Sequence, residues 1–294
     1  MKGNSICAIF VTYNCNKEFY NSFNSVNDKV DKVVIVDNGS SKETIDILKD
    51  LKNKYDVEVI LNKENLGIAT ALNKGANYAI NNGYKWILTL DHDSKLTDNM
   101  LDRMLVKYNS FSSYERSKIV SIIPNYVEEN LINTLGESEI KDSWSYVENG
   151  ITSGNLVKTS VIKEIGFCEE KLFIDCVDSD FCCKIIKHGY NILKVDNAIL
   201  IHNLGDTKII KFFNREIKCS NHSYVRRYYI TRNRLFLWNK YYNITPNYIQ
   251  QDKRANYREI IKILLFEKDK ILKFKMIFKG YFDYKKDIYG KINN

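Results

Sequence analysis

Proline is nearly missing from this 294-residue chain, which has 2 in all, and no internal repeat or low-complexity block interrupts it. Long disordered linkers are therefore not expected. No apolar run approaches the roughly 18 residues that span a bilayer. The opening stretch MKGNSICAIFVTYN lacks the long apolar core and cleavage site of a secretory leader. The expectation is a cytoplasmic protein that at most touches a membrane. The 7 cysteines (Cys7, Cys15, Cys168, Cys176, Cys182, Cys183, Cys219) are odd in number and without metal-ligand spacing. That set reads as reduced thiols and excludes a disulfide framework or a zinc ribbon. No GxGxxG follows the first strand and no GxxxxGK[ST] occurs anywhere, so dinucleotide-fingerprint and P-loop readings lack support. Any phosphate bound here must be neutralised by other means.

What is present is an alternation. A hydrophobic fraction of 44% supports a sizeable core. Strands are expected at 6–12, 32–37, 57–61 and 86–90, with helical spacing at 17–26, 42–55 and 68–82 between them. This order predicts an α/β protein, a mostly parallel sheet with helices on both faces. Ser40 and Ser41 mark one helix start, Asn65-Leu66-Gly67 the next, and Gly83 suits a helix end. Further on, 96–111 reads as helix, 118–124 as strand, and 125–147 as loops and short strands.

The chemistry collects at strand ends. Strand one ends in Thr12-Tyr13-Asn14 and strand two in Asp37-Asn38-Gly39-Ser40. An aspartate at such an edge can accept from a nucleobase or ribose, or can close an Asx turn. Strand four ends in Asp91-His92-Asp93-Ser94. Two carboxylates there must be exposed, paired or holding a cation, and Mg²⁺ is often held by one or two carboxylates plus substrate phosphates. The alternative is a polar turn with Asp93 or Ser94 capping the next helix. In open parallel sheets, ligands sit at the carboxyl ends of the strands, where this pair falls.

Two later segments stand out. Ser153-Gly154-Asn155 makes a tight polar turn before a short helix at 159–165, and Asp175, Asp178 and Asp180 precede a helix at 181–188. Asp178 suits an N-cap and Asp180 the positive end of the helix dipole; equally, a carboxylate on a rigid helix start can act as a general base. His202 follows an apolar strand, where a structural role is the commoner one. Segment 226–242 is basic and aromatic, with Arg227, Arg232 and Arg234 nearly on one helical face. No nucleic-acid-binding signature accompanies it. From 240 to 294 there are 13 Lys+Arg against 6 Asp+Glu, a net +7. The amphipathic helices expected there could pack on the domain or lie on an anionic membrane.

In order along the chain, FVTYN (10–14), VVIVDNGS (33–40), NLGIATALNKG (65–75), LDHDS (90–94), TSGNLV (152–157), GFCEEKLFIDCVDSDFC (166–182), IHNLGD (201–206) and RRYYITRN (226–233) resemble glycosyltransferase family 2. Within it the chain looks most like bacterial rhamnosyltransferases. The resemblance spans about residues 6 to 240 and implies a Rossmann-like GT-A fold over 1–220, with a nucleotide-sugar half (1–95), an acceptor half (96–220) and a helical C-terminal region (221–294).

It also implies an inverting transfer from a nucleotide-diphosphate sugar, dTDP-rhamnose above a UDP-hexose, to a glycan or lipid-linked glycan, with Mg²⁺ or Mn²⁺. On this likeness Thr12, Asn14, Asp37, Asn65 and Lys74 serve the nucleotide sugar. Asp93, Asp91 and His202 serve the metal and diphosphate, and Arg227 and Arg232 lie near phosphates. Asp178 is the base, although many members have Glu-Asp where this chain has Val177-Asp178, which keeps Asp175 and Asp180 in contention. The resemblance carries a location too, the inner face of a bacterial membrane. Other classes are a sugar nucleotidyltransferase, disfavoured by the missing glycine-rich basic loop, and a non-catalytic nucleotide-sugar-binding protein.

Overall fold

The computed structural model describes residues 5–129, 142–202, 208–212 and 215–292. Its first strand, β1 (Ile6–Thr12), is buried at every position, because helices cover both of its faces. Next come α1 (Phe19–Asn27), β2 (Lys32–Asp37), α2 (Lys42–Lys54), β3 (Val57–Leu61), α3 (Ile68–Asn81) and β4 (Trp86–Asp91). These four strands are parallel, in the order β3-β2-β1-β4. The expected alternation is thus present, with boundaries shifted by two residues at most. Gly75 lets α3 lie directly on β1: a Cβ there would come within 2.4 Å of Ile9 Cγ2.

Beyond β4 the sheet is mixed. The chain continues through β5 (Lys95–Leu96), α4 (Met100–Ser110), α5 (Ser113–Lys118), β6 (Ile119–Val127), β7 (Trp144–Val147), β8 (Asn155–Lys158) and α6 (Thr159–Ile165). A 3-10 turn (Glu170–Leu172) leads to α7 (Val177–Lys187) and β9 (Asn191–Ile201). The nine-stranded sheet runs β3-β2-β1-β4-β8-β6-β9-β5, with β7 also on β9. Here β6 is antiparallel to β8 and parallel to β9. β8 pairs antiparallel with β4, so the turn at Ser153 and Gly154 lies beside the carboxyl end of β4, where Gly154 N–H donates to Thr89 O at 2.7 Å. Two local expectations are corrected. Residues 95–99 form a short strand and turn before α4, because Leu96 is drawn into pairing with β9. α7 starts at Val177, four residues early, so Asp178 lies in its first turn and Cys176 is the N-cap.

A hairpin of β10 (Lys208–Phe212) and β11 (Arg215–Cys219) precedes α8 (Tyr224–Tyr241), α9 (Pro246–Phe266) and α10 (Lys270–Lys285). These three helices form a C-terminal extension. Three of its acidic groups turn inward: Glu259 pairs with Arg227 and Arg234, Glu267 with Arg227 and Lys273, and Asp283 accepts from Tyr228. An apolar cavity of about 320 Å³ lies among these helices and shares no lining residue with the acidic strand end. No helix among the described residues is long and apolar enough to cross a membrane.

Candidate active site

β4 delivers Asp91 to the rim of the sheet, and the turn after it places Asp93 and Ser94 beside β9's end. His202, just past β9, completes the cluster. One ligand atom from each of Asp91, Asp93 and His202 lies within 4.8 Å of the other two. His202 Nε2 is 4.0 Å from Asp91 Oδ2, and Nδ1 is 3.7 Å from Asp93 Oδ1. Buried Ser94 holds the ring, with its Oγ 2.8 Å from Nδ1, and Ser153 Oγ donates to Ser94 Oγ at 2.7 Å. Ser153 also accepts from the Asp91 backbone N–H at 3.1 Å. Hydroxyls in this position would fix the orientation of the imidazole if it ligated a metal.

Burial pushes the Asp91 carboxyl pKa up; the nearby His202 opposes that rise and the Asp93 charge adds to it. Two carboxylates and an imidazole in this spacing fit a hard divalent cation. Bonds of about 2.1 Å would bring the three ligand atoms to within about 4.2 Å of one another, a small contraction from what is seen.

The cluster faces a cavity of about 350 Å³ whose rim includes Tyr13, Asn38, Asn65, Phe173 and Arg226. That size suits a small-molecule ligand. A second cavity of about 380 Å³, lined by Asn14, Lys95 and Glu129, shares His92 and Asp93 with it. Asn38 and Asn65 are locked together: Asn38 Nδ2 donates to Asn65 Oδ1 at 3.1 Å and Asn62 Nδ2 to Asn38 Oδ1 at 3.2 Å.

Several expected positions lie elsewhere. Thr12 and Asp37 are fully buried and present no surface to the cleft. Asp37 instead builds the turn, accepting from Thr12 Oγ1 at 3.0 Å, Gly39 N at 3.1 Å and Ser40 N at 2.9 Å. Lys74 sits behind the rim, where its ammonium donates to Asn62 Oδ1. The arginine expectation is corrected by one residue. Arg227 is buried against Glu259 (2.7 Å) and Glu267 (3.0 Å), and Arg232 is buried beneath Leu172 and Gly290. Arg226, about 100° round the helix from Arg227, is the arginine in the cleft.

The three candidate bases separate by their partners. Asp180 is fully buried, accepting from Lys240 Nζ at 3.0 Å and Tyr241 OH at 2.9 Å. Asp175 is bound by Arg226, with Nη2 to Oδ1 at 2.9 Å. Asp178 accepts from the Ser179 N–H at 2.8 Å and has no ion pair among the described residues. Burial, with the charges of Asp175 and Asp91 adding to it, pushes the Asp178 carboxyl up to about 6. Sequence reasoning missed Ser94, Ser153, Asn38 and Arg226 as parts of the site; of the IHNLGD segment, 203–206 lie outside the described residues.

The model of glycosyl transferase family 2 matches residues 7–113. The chain is 29% identical over 249 residues to dTDP-rhamnosyl transferase RfbF of Shigella flexneri, covering 80% of each chain. It is similar in fold to a Pyrobaculum calidifontis mannosyltransferase solved with GDP-Man and Mn²⁺, at TM-score 0.56 and 16% identity, covering 78% of this chain and 61% of that one. The S. aureus TarS 1–349 structure with UDP-GlcNAc gives TM-score 0.58 at 15% identity, covering 97% of this chain and 81% of that one. Residues 7–113 thus match glycosyl transferase family 2, and the chain as a whole has the GT-A fold of the glycosyltransferases it resembles.

Proposed function

We propose that this chain is an inverting, divalent-metal-dependent glycosyltransferase that moves L-rhamnose from dTDP-rhamnose to a hydroxyl of a growing cell-surface glycan. One observation carries the reading. Of three aspartates between Ile174 and Phe181, Asp178 alone has no ion pair among the described residues, and its carboxyl, pushed up to about 6 chiefly by burial, also feels the charge of Asp91 in the cluster. A base must be ionisable near the working pH and close to the reacting centre. Asp178 takes the proton of the acceptor hydroxyl as that oxygen bonds to the anomeric carbon, and the bond from this carbon to the diphosphate oxygen breaks on the opposite face. Asp91, Asp93 and His202 would hold Mg²⁺ or Mn²⁺, which when bound neutralises the departing diphosphate. Arg226 adds a cation on the same side. Residues 1–220 carry this chemistry in the proposal, with Asn14, Asn38 and Asn65 on the donor side.

The rhamnosyl donor rests on the likeness to the S. flexneri dTDP-rhamnosyl transferase across four-fifths of both chains. A second reading uses a UDP-hexose: the TarS fold solved with UDP-GlcNAc matches 97% of this chain. A thermal-shift screen with Mn²⁺ separates them. The rhamnosyl reading expects dTDP-rhamnose to raise the melting temperature most; a larger shift with UDP-GlcNAc or another UDP-hexose would replace it.

The C-terminal helices supply the proposed seat at an anionic membrane. Glu259, Glu267 and Asp283 are turned inward, whereas Arg254, Arg258, Lys268, Lys270, Lys275, Lys285 and Lys286 are exposed and outnumber exposed Asp269 and Asp287. Among them stand exposed Leu264, Leu265, Ile271, Leu272 and Phe278. Each lysine near an anionic surface contributes about 1 kcal/mol. Co-sedimentation with phosphatidylglycerol vesicles is therefore expected to exceed that with phosphatidylcholine vesicles. It should fall with salt and fall again when Lys268, Lys270 and Lys275 are replaced by Glu. Equal sedimentation with both vesicles rejects an electrostatic seat.

A further inference from the structure

Residues 173–176 carry an unusual backbone. Phe173, Asp175 and Cys176 have φ of 67°, 63° and 63°, and none is glycine. Side chains rarely tolerate this left-handed conformation, and it persists only where the surroundings over-determine it. The stretch ends at the N-cap of α7, so it sets where Asp178 stands.

The restraint comes from α8. Asn233 is fully buried, and its Nδ2 donates to Leu172 O at 2.9 Å, Ile174 O at 2.7 Å and Asp175 O at 2.9 Å. Its Oδ1 accepts from Arg232 Nε at 3.0 Å, which fixes the amide's orientation. Arg232 in turn donates to Leu172 O at 3.1 Å and Gly290 O at 2.8 Å. The Tyr229 ring stacks on Phe173 with centroids 5.3 Å apart. From the opposite side, the Ile68 N–H at the start of α3 donates to Phe173 O at 2.8 Å. Gly67 makes room for this contact, since a Cβ there would lie 2.5 Å from the same oxygen.

We infer that Asn233, oriented by Arg232, is a positioning residue for the transfer step: it clamps the left-handed segment that leads into α7, whose first turn carries Asp178. This rests on the reading of Asp178 as the base. The chemistry of the clamp selects asparagine. It must offer two N–H donors on a short stem to converging carbonyls and an acceptor to the neighbouring guanidinium. An aspartate of the same shape would aim only oxygens at three carbonyl oxygens.

The test compares Asn233→Asp, Asn233→Ser and Asn233→Ala with Asp178→Asn in the 294-residue chain. The readouts are kcat, the KM for donor, melting temperature, and calorimetric affinity for dTDP and UDP with Mn²⁺. Displacing a reacting group by about 1 Å costs about 10²-fold. The Asn233→Asp and Asn233→Ala enzymes are expected to lose kcat on that scale while nucleotide affinity and donor KM hold. Asn233→Ser, which keeps one donor, should recover part of the loss. Asn233→Ser and Asn233→Ala introduce no buried charge and carry the test if Asn233→Asp does not fold. Wild-type kcat in these variants overturns the clamp, as does a fall in kcat matched by equal losses of nucleotide affinity and melting temperature. Asp178→Asn keeps the two ideas apart: wild-type turnover there rejects the base, whereas an inactive Asp178→Asn beside active Asn233 variants rejects only the clamp.

Discussion

Asp178→Asn is expected to lower kcat by about 10²–10⁴-fold, the usual worth of a general base, with nucleotide affinity little changed. Asparagine has the same shape and keeps an oxygen for the Ser179 N–H at 2.8 Å, so only proton acceptance is removed. In the wild type, activity should rise with pH through about 6, where burial and the neighbouring charges of Asp175 and Asp91 hold this carboxyl. The same shift has a stability consequence. A carboxyl whose pKa is raised on folding favours the folded state while protonated and costs stability once ionised. That contribution is therefore lost as pH climbs through about 6, and the neutral asparagine escapes the loss. Metal-free Asp178→Asn should melt above wild type at pH 7. Wild-type turnover in this variant would remove Asp178 from the mechanism, and a lower melting temperature would contradict the desolvation reading.

Asp93→Ala is expected to abolish the gain in nucleotide affinity that Mn²⁺ gives. Loss of a residue that merely supports a metal ligand costs about 10–100-fold, and a direct ligand costs at least as much. Asp93 also borders both cavities, so it is the member of the cluster most exposed to an incoming diphosphate. Calorimetric titration of dTDP or UDP, with and without Mn²⁺, reads the difference directly. An affinity that rises with Mn²⁺ in the variant as it does in the wild type rejects the metal role of Asp93. Asp91→Ala should share the defect. Ser94→Ala should show a partial one, because that hydroxyl only orients the His202 ring.

The parallel half of the sheet was legible because its strands are short apolar runs that stop in polar turns, and such runs leave little freedom of register. The acidic strand end was legible for the same reason: Asp91 and Asp93 stand where burial ends. His202 was named through family likeness, since an imidazole after a strand carries no signal of its own. The supporting hydroxyls of Ser94 and Ser153 were not legible, because a serine in a turn reads the same whether it faces solvent or a histidine. The arginine that lines the cleft, Arg226, lies one position before Arg227. Helical periodicity put Arg227 and Arg232 on a face, but it could not say that this face would meet Glu259, Glu267 and the carbonyl of Leu172. The left-handed segment was invisible for a further reason. Positive φ is signalled chiefly by glycine and, more weakly, by asparagine or aspartate; Phe173 and Cys176 carry no such signal, and Asp175 only a weak one.

The cluster joins parts of the chain that lie far apart in sequence. Asp91 and Asp93 fall within the 7–113 stretch that matches the family, whereas Ser153 and His202 arrive on later segments. His202 takes its place only after β9 has paired with β6, β5 and β7. Free energy from cation binding is thus available only to the chain in which that edge has docked. A divalent ion should act as a thermodynamic reporter of β9 docking, protecting the 191–202 amides from hydrogen exchange more than those of β1 or β2. A fragment ending before β9 keeps both aspartates, yet it lacks His202 to complete the site.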